Sequence, residues 1–272
     1  MQRDEGLVCT KRVKAMLENA GCEVILSPIY GTPADEATME LDDAMNGASL
    51  LVTLGGDGTI LHLAPLIMRS GVPLVGVNLG HKGFLTELDR GTVDKLLAAA
   101  AGAYEIVPRM MLDISVERDG AIIYTDTAIN EAVVSGIVQN VRLTALGDGE
   151  RILDFSGDGV IVSSPTGSTA YSMSAGGPLV EPSTENIILT PICAHMLAAR
   201  SFVLAPERVV TVSPRELEDG KRCILTADGR GMIDLKNGDL VTVRRSKHKL
   251  YFADLGTRSF YETAFEKLGE RQ

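Results

Sequence analysis

The chain lacks a basic surplus. Of its 272 residues, 26 are Lys or Arg and 36 are Asp or Glu, a formal net charge of -10, which excludes broad electrostatic binding to nucleic acid or to an anionic membrane. Its four cysteines, Cys9, Cys22, Cys193 and Cys223, lie far apart without a C-x-x-C pair. That spacing excludes a zinc knuckle and a disulfide framework and fits a reducing cytoplasm. No apolar run approaches the length of a membrane span, and the charged start with Arg3, Asp4, Glu5, Lys11 and Arg12 leaves no apolar signal core. The histidines, His62, His81, His195 and His248, show no metal-ligand spacing. The six-residue dinucleotide fingerprint and the Walker lysine pattern are also missing, which disfavours an ordinary hydride-transfer dinucleotide enzyme.

What is present suits a globular chain: 45% of the residues are hydrophobic and 23% charged, enough for one large core or two smaller ones, and two domains are expected. Residues 11–20 carry Val13, Met16 and Leu17 at helical spacing before Gly21, and 23–26 read as a strand. Residues 50–54 are an apolar strand, 60–68 an apolar helix started or bent at Pro65, 73–78 a second strand, and 93–101 another helix. This alternation predicts a three-layer α/β domain, a parallel sheet with helices on its faces.

After Pro108, segments 111–116, 121–125, 160–163, 209–213, 222–226, 240–245 and 249–253 read as strands. Asp119-Gly120, Gly157-Asp158-Gly159, Asp228-Gly229 and Asn237-Gly238 supply the turns between them. The expected organisation is an α/β domain over 1–107 and an all-β sandwich over 108–253. A C-terminal tail over 254–272, helical at 261–268, is expected to pack back on the first domain. Arg244, Arg245, Lys247 and Lys249 read as a solvated edge strand, and Met39, Met45, Met110, Met111, Met173 and Met196 as core filler.

Gly55-Gly56-Asp57-Gly58-Thr59 stands between a strand and a helix, at what a parallel sheet makes its carboxyl edge. Glycines let the backbone approach a polyphosphate, and the helix N-terminus offers unpaired N–H groups. A carboxylate among anions is costly unless it takes a proton from a hydroxyl or holds a divalent cation. Asp57 therefore suits phosphoryl transfer to an alcohol, where positioning and charge compensation do most of the catalysis. Gly55, Gly56, Gly58, Thr59 and His62 are the candidate phosphate contacts. The turn also reads as a tight left-handed bend in which Asp57 merely caps the next helix, and His62 as a half-buried helix histidine.

Ser164-Pro165-Thr166-Gly167-Ser168-Thr169-Ala170-Tyr171-Ser172 gathers hydroxyls, small residues and one ring after the strand 160–163. Such a loop can bind polar ligand edges and stack a base, although its hydroxyls can equally satisfy their own backbone. Gly176-Gly177-Pro178 and Asn130-Glu131 accompany it. A carboxylate accepting two adjacent ribose hydroxyls, with an amide beside it, can hold a nucleoside.

Together these residues resemble the NAD kinase family over nearly the whole chain. The resemblance runs through the Gly55 to Thr59 turn, Asn78-Leu79-Gly80-His81-Lys82-Gly83-Phe84-Leu85, Asn130-Glu131, and Asp158-Gly159 followed by 166–174. The glycine turn is shared with phosphofructokinases and with diacylglycerol and sphingosine kinases, whereas the Asn-Glu pair with the Thr-Gly-Ser-Thr-Ala-Tyr loop looks like NAD kinase alone. The resemblance implies a Rossmann-like first domain and phosphorylation of the adenosine 2′-hydroxyl of NAD to give NADP. ATP, or in some members polyphosphate, is the implied donor, with Mg²⁺ or Mn²⁺ brought largely by ATP rather than held in a dedicated protein cage.

By the same resemblance, Asp57 matches the catalytic base, and Gly58, Asn130, Glu131, Asp158, Thr169, Ala170, Tyr171, Ser172, Met173 and Ser174 line the NAD site, with Phe84 near the adenine. Cys193 falls at another contact position and Arg230 near one. The family forms dimers or tetramers whose sites are shared, so Asp158 and Arg230 are implied to act across an interface. The chain departs from the pattern at its start, where the helix at Lys11 follows a polar segment instead of an apolar strand and a short Asn-bearing loop. It departs again at Ser156, where the family often has a basic residue. A lipid or sugar kinase with the same turn is disfavoured by the lack of an amphipathic docking segment. A catalytically silent nucleotide-binding regulator would not need Asp57.

Overall fold

The structure, a computed structural model, describes residues 4, 7–27, 45–80, 83–196, 199–218 and 220–269. His81, Lys82 and Met39, singled out above, lie outside the described residues. The chain divides into two compact units, residues 1–108 with 249–272, and residues 109–248. The return to the first unit falls inside one long strand, ahead of the boundary expected after residue 253.

In the first unit, α1 (Val8–Asn19) buries Cys9, Val13 and Leu17, spaced four residues apart on one face. The Asp4 carboxylate accepts from the N–H groups of Cys9 and Thr10, both at 2.9 Å, satisfying donors that a helix start leaves open. β1 (Leu51–Gly55) and β2 (Leu74–Asn78) pair in parallel, Gly55 opposite Asn78. The short β3 (Leu88–Asp89) adds to β2 in parallel, as does the end of the long β15 (Leu240–Asp254) through Phe252 opposite Leu74. All five residues of β2 are buried, as a strand covered on both faces requires. Val75 and Val77 meet α1 and α3 (Leu96–Ala100) on one face. On the other, α2 (Asp57–Ile67) brings Ile60 so close that a Cβ added at Gly76 would meet its Cδ1 at 3.0 Å. Helices on both faces make the expected three layers.

The second unit is an antiparallel sandwich. One sheet contains β15 (Leu240–Asp254), β12 (Val210–Arg215), β7 (Val141–Gly147) and β8 (Glu150–Gly157) in that order, with β4 (Glu105–Arg118) pairing β15 and β5 (Ala121–Ala128) pairing β4. The other runs β11 (Phe202–Leu204), β10 (Ile187–Ile192), β9 (Gly159–Ser163), β6 (Glu131–Gly136), β13 (Cys223–Ala227), β14 (Arg230–Leu235). Their inner faces meet in one apolar core that includes Leu112, Ile114, Ala132, Val134, Leu143, Val160, Val162, Leu189, Val212 and Leu225. The C-terminal α5 (Phe260–Gly269) belongs to the first unit.

Three expectations are corrected. Residues 22–27 form no strand: Ile25 and Leu26 are exposed, and no ladder forms there among the described residues. The strands expected at 240–245 and 249–253 are one, β15, because the polar Ser246 between them is itself buried and its hydroxyl accepts the His248 N–H at 3.1 Å. The basic cluster is consequently not an edge: β15 pairs with β12, β4 and β2, and Arg245 is ion-paired with Glu185. Among the described residues no helix is long and apolar enough to cross a membrane.

Candidate active site

The first centre lies where β1 and β2 end side by side. Gly56 is the N-cap of α2, and no side chain caps that helix start, so Asp57 does not act as the cap its position allows. Its carboxylate crosses to the loop after β2, where Oδ2 accepts the Phe84 N–H at 2.7 Å and Oδ1 the Leu85 N–H at 3.1 Å. That loop is braced by Asn78, whose amide donates to Thr86 Oγ1 at 3.1 Å and whose Oδ1 accepts the Gly80 N–H at 2.7 Å. Gly83 closes the side of the carboxylate, and a Cβ there would land on it. Two N–H donors fix the orientation of Asp57, the Thr86 hydroxyl adds a long bond of 3.5 Å to Oδ1, and Oδ2 keeps a second lone pair for a hydroxyl or a cation.

Around it, Gly55 and Gly56 are buried, Thr59 half-buried and Gly58 exposed. His62 is exposed on α2, not half-buried as its apolar neighbours suggested, because the buried stripe runs through Ile60, Leu63, Ala64 and Ile67. Phe84 is half-buried, and the Lys267 ammonium of α5 sits 5.0 Å from its ring centroid. One face of the ring is thus engaged by a cation.

The second centre is on the sandwich. Glu131 opens β6 and stands opposite Ser163, the last residue of β9. Alternation puts this pair on the face of Val133 and Ile161, away from the inter-sheet core, under the segment that contributes Ala175. Asn130 and Glu131 are each only 7% exposed. Glu131 Oε2, Ser163 Oγ and Thr166 Oγ1 are buried with no hydrogen-bond partner among the described residues. Burial, reinforced by the nearby Asp228 charge, pushes the Glu131 carboxyl up to about 8, so it is neutral at pH 7.

The hydroxyl-rich loop divides into structural and open groups. Ser164 Oγ donates to the Ile129 carbonyl and accepts the Gly167 N–H at 3.2 Å. Ser168 Oγ bonds both the N–H and the carbonyl of Val180, Thr169 Oγ1 donates to the Thr166 carbonyl at 3.0 Å, and Ser172 Oγ pairs with Thr190 Oγ1 at 3.0 Å. For these four, the alternative that the loop satisfies its own framework holds. Thr166 lacks such a partner, and Ala170, Tyr171, Met173 and Ser174 are half-buried or exposed on the turn that follows (α4, Tyr171–Ser174).

Asp158 is exposed and lines a cavity of about 420 Å³ with Ser135, Val138, Asn140, Tyr171 and Ile192. Cys193, in a left-handed conformation with φ 45°, is hydrogen-bonded to Asp158, which raises its thiol pKa. Arg230 is held internally, its Nη2 donating to the Thr127 carbonyl at 2.8 Å with Asp126 3.7 Å away. The residue that sequence reasoning missed is Asp228. Its Asp-Gly pair carried only a turn signal, yet its carboxylate accepts the N–H groups of Ile129, Asn130 and Glu131 at 2.8, 2.9 and 3.0 Å. Nothing local marks such a contact, which spans 97 to 99 residues.

A glycine-flanked acid at the carboxyl edge of a parallel sheet is the equipment of a small-molecule kinase, and the second unit carries by itself a buried carboxyl and open hydroxyls. The ATP-NAD kinase N-terminal domain model matches residues 7–102 and the C-terminal domain model residues 110–255, and the chain belongs to the ATP-NAD kinase family. An NAD kinase of Ruminiclostridium cellulolyticum is 32% identical over 275 residues, covering 100% of this chain and 96% of its own. The crystal structure of an NAD kinase from Archaeoglobus fulgidus in complex with ATP matches with a TM-score of 0.76 at 26% identity, over 97% of this chain and 95% of that one. Yeast NADH kinase complexed with NADH matches with a TM-score of 0.76 at 29% identity, over 85% and 69%.

Proposed function

We propose that this protein transfers the terminal phosphate of ATP to the 2′-hydroxyl of the adenosine ribose of NAD, forming NADP. The observation that carries the reading is the Asp57 carboxylate, oriented by the N–H groups of Phe84 and Leu85 at the carboxyl ends of β1 and β2. So held, it accepts the proton of the attacking hydroxyl, or orients that hydroxyl, while the phosphate is transferred. The helix start beside it, with Gly56 and Gly58 offering close backbone approach, suits the donor phosphates. Asn130 and Glu131 take the ribose hydroxyls of the nucleoside, with Thr166 and the 169–174 turn around them.

Among the described residues no three His, Cys, Asp or Glu side chains gather as a metal cage. The oxygen chemistry of Asp57 fits a hard cation, so Mg²⁺ or Mn²⁺ enters in this reading as part of the ATP substrate. The free cysteines, Cys9, Cys22, Cys193 and Cys223, support a reducing cytoplasm as its compartment. We read the working form as a homodimer or homotetramer in which Asp158 and Arg230 complete a neighbour's site, and a monomeric mass in solution at assay concentration would contradict that.

The test is purified protein with ATP, Mg²⁺ and NAD, coupled to an NADP-specific dehydrogenase, beside Asp57→Asn. NADP is expected from the wild type and not from the variant. Phosphorylation of a lipid or sugar without NADP formation would overturn the reading.

A further inference from the structure

We propose that Asp228 is a positioning residue for the nucleoside, acting through Asn130 and Glu131; this rests on reading that pair as the one that takes the ribose. Asp228 adopts a left-handed conformation, φ 47°, and Gly229 follows at φ 72°. Together they make the tight turn between β13 and β14, a conformation Asp tolerates better than most residues. The turn carries the carboxylate back over the start of β6. There one oxygen accepts the N–H groups of Asn130 and Glu131 and the other accepts that of Ile129, while the Asp228 N–H donates to the Glu131 carbonyl at 3.0 Å.

The opposite side of the same tripeptide is gripped by the hydroxyl-rich loop. The Ser164 N–H donates to the Asn130 carbonyl at 2.8 Å, and Ser164 Oγ donates to the Ile129 carbonyl. Gly167 lies against Asn130 so closely that a Cβ would overlap its backbone. Every backbone N–H and carbonyl from Ile129 to Glu131 is thereby occupied, and the pair's side chains leave a fixed platform. A carboxylate serving only the turn has no reason to gather three consecutive donors from another strand, least of all that of Glu131, which stands opposite Ser163 and its open hydroxyl.

The charge acts as well as the geometry. Asp228 is the charged group that bears on Glu131 besides burial, and Arg230, at the head of β14, bears in turn on Asp228. Burial raises the Asp228 carboxyl too, opposed by its three N–H donors and Arg230. Those donors favour the charged form of Asp228, whereas both influences on Glu131 favour its protonated form. Glu131 thus meets a diol with one O–H donor and acceptor oxygens, instead of two acceptors only.

The experiment compares wild type with Asp228→Asn, which keeps the shape and one acceptor but removes the charge. Asp228→Ser, shorter and also uncharged, serves if Asp228→Asn does not fold. The KM for NAD should rise about tenfold, the scale of losing a charge-assisted hydrogen bond, with the KM for ATP unchanged. In ¹³C-carboxyl-Glu protein, the Glu131 resonance, assigned by its loss in Glu131→Gln, should titrate at lower pH in the variant than in wild type. A lowered melting temperature with neither the NAD KM nor that titration moved would overturn the proposal, since a purely structural role predicts that pattern. If the wild type makes no NADP, the functional reading fails by itself. The titration needs no turnover and still decides whether Asp228 governs Glu131.

Discussion

Asp57 and Phe84 are 27 residues apart in the chain, and the Phe84 N–H donates to the Asp57 carboxylate at 2.7 Å. The bond ties the turn after one parallel strand to the loop after its neighbour. It converts a flexible acid in a glycine-rich segment into a group of fixed direction.

Replacing Asp57 by Asn removes the proton acceptor but leaves an oxygen for one of the two N–H groups. The expected result is a loss of kcat of about 100-fold or more, the usual range for removing a general base, with the circular dichroism spectrum unchanged. Retention of full kcat would remove Asp57 from the chemistry.

Gly83→Ala tests the packing on the same carboxylate, because a Cβ at that position falls on Asp57. Overpacking of this kind costs about 1–3 kcal/mol, and relief by rotating Asp57 breaks its bonds to Phe84 and Leu85. The variant should lose both thermal stability and kcat. A variant with unaltered turnover would show that the orientation of Asp57 is not limiting.

Stability should depend on the Glu131 proton. The carboxyl is pushed from an ordinary 4.5 to about 8 by burial and then by Asp228, so between those values the folded state holds a proton that the unfolded chain has released. Wild-type stability should therefore fall as pH rises through that window and level off above it, by a few kcal/mol at most. Glu131→Gln cannot titrate, so melting temperatures of the two proteins should converge or cross over that range. A constant difference would contradict the raised value.

A partly buried ion pair joins β4 to the residue that precedes β15. Arg118 Nε and Nη2 donate to the two Asp239 oxygens at 2.8 and 2.6 Å, and the Asp239 side chain is 1% exposed. Arg118→Ala leaves that charge with the Lys236 N–H but without its main partner, for which about 1–3 kcal/mol is expected in urea denaturation. Well below the melting temperature, the KM values for NAD and ATP should stay as in wild type, since neither residue belongs to the proposed site.

The readable parts of the fold are those where one segment carries its own pattern. The apolar runs ending in Gly55 and Asn78 and the helix between them appear where expected, within a few residues. β6, β7, β8, β10, β11 and β14 went unread, because short strands in a two-sheet core are stabilised by neighbours far along the chain rather than by local propensity. β15 looked like two strands for the same reason: Ser246 is polar in the chain and buried in the sheet.

The sequence by itself determined the chemistry available: an acid among glycines before an apolar helix, an Asn-Glu pair, a loop dense in hydroxyls, and through them the family. Tertiary structure alone decided how those groups are used. Whether Asp57 caps its own helix or reaches Phe84, which loop hydroxyls other than that of Thr169 are committed to the framework, and which carboxyl keeps its proton all depend on partners from 12 to 99 residues away. Hydrogen-bond satisfaction and desolvation are properties of surroundings, and the surroundings exist only once the strands have paired.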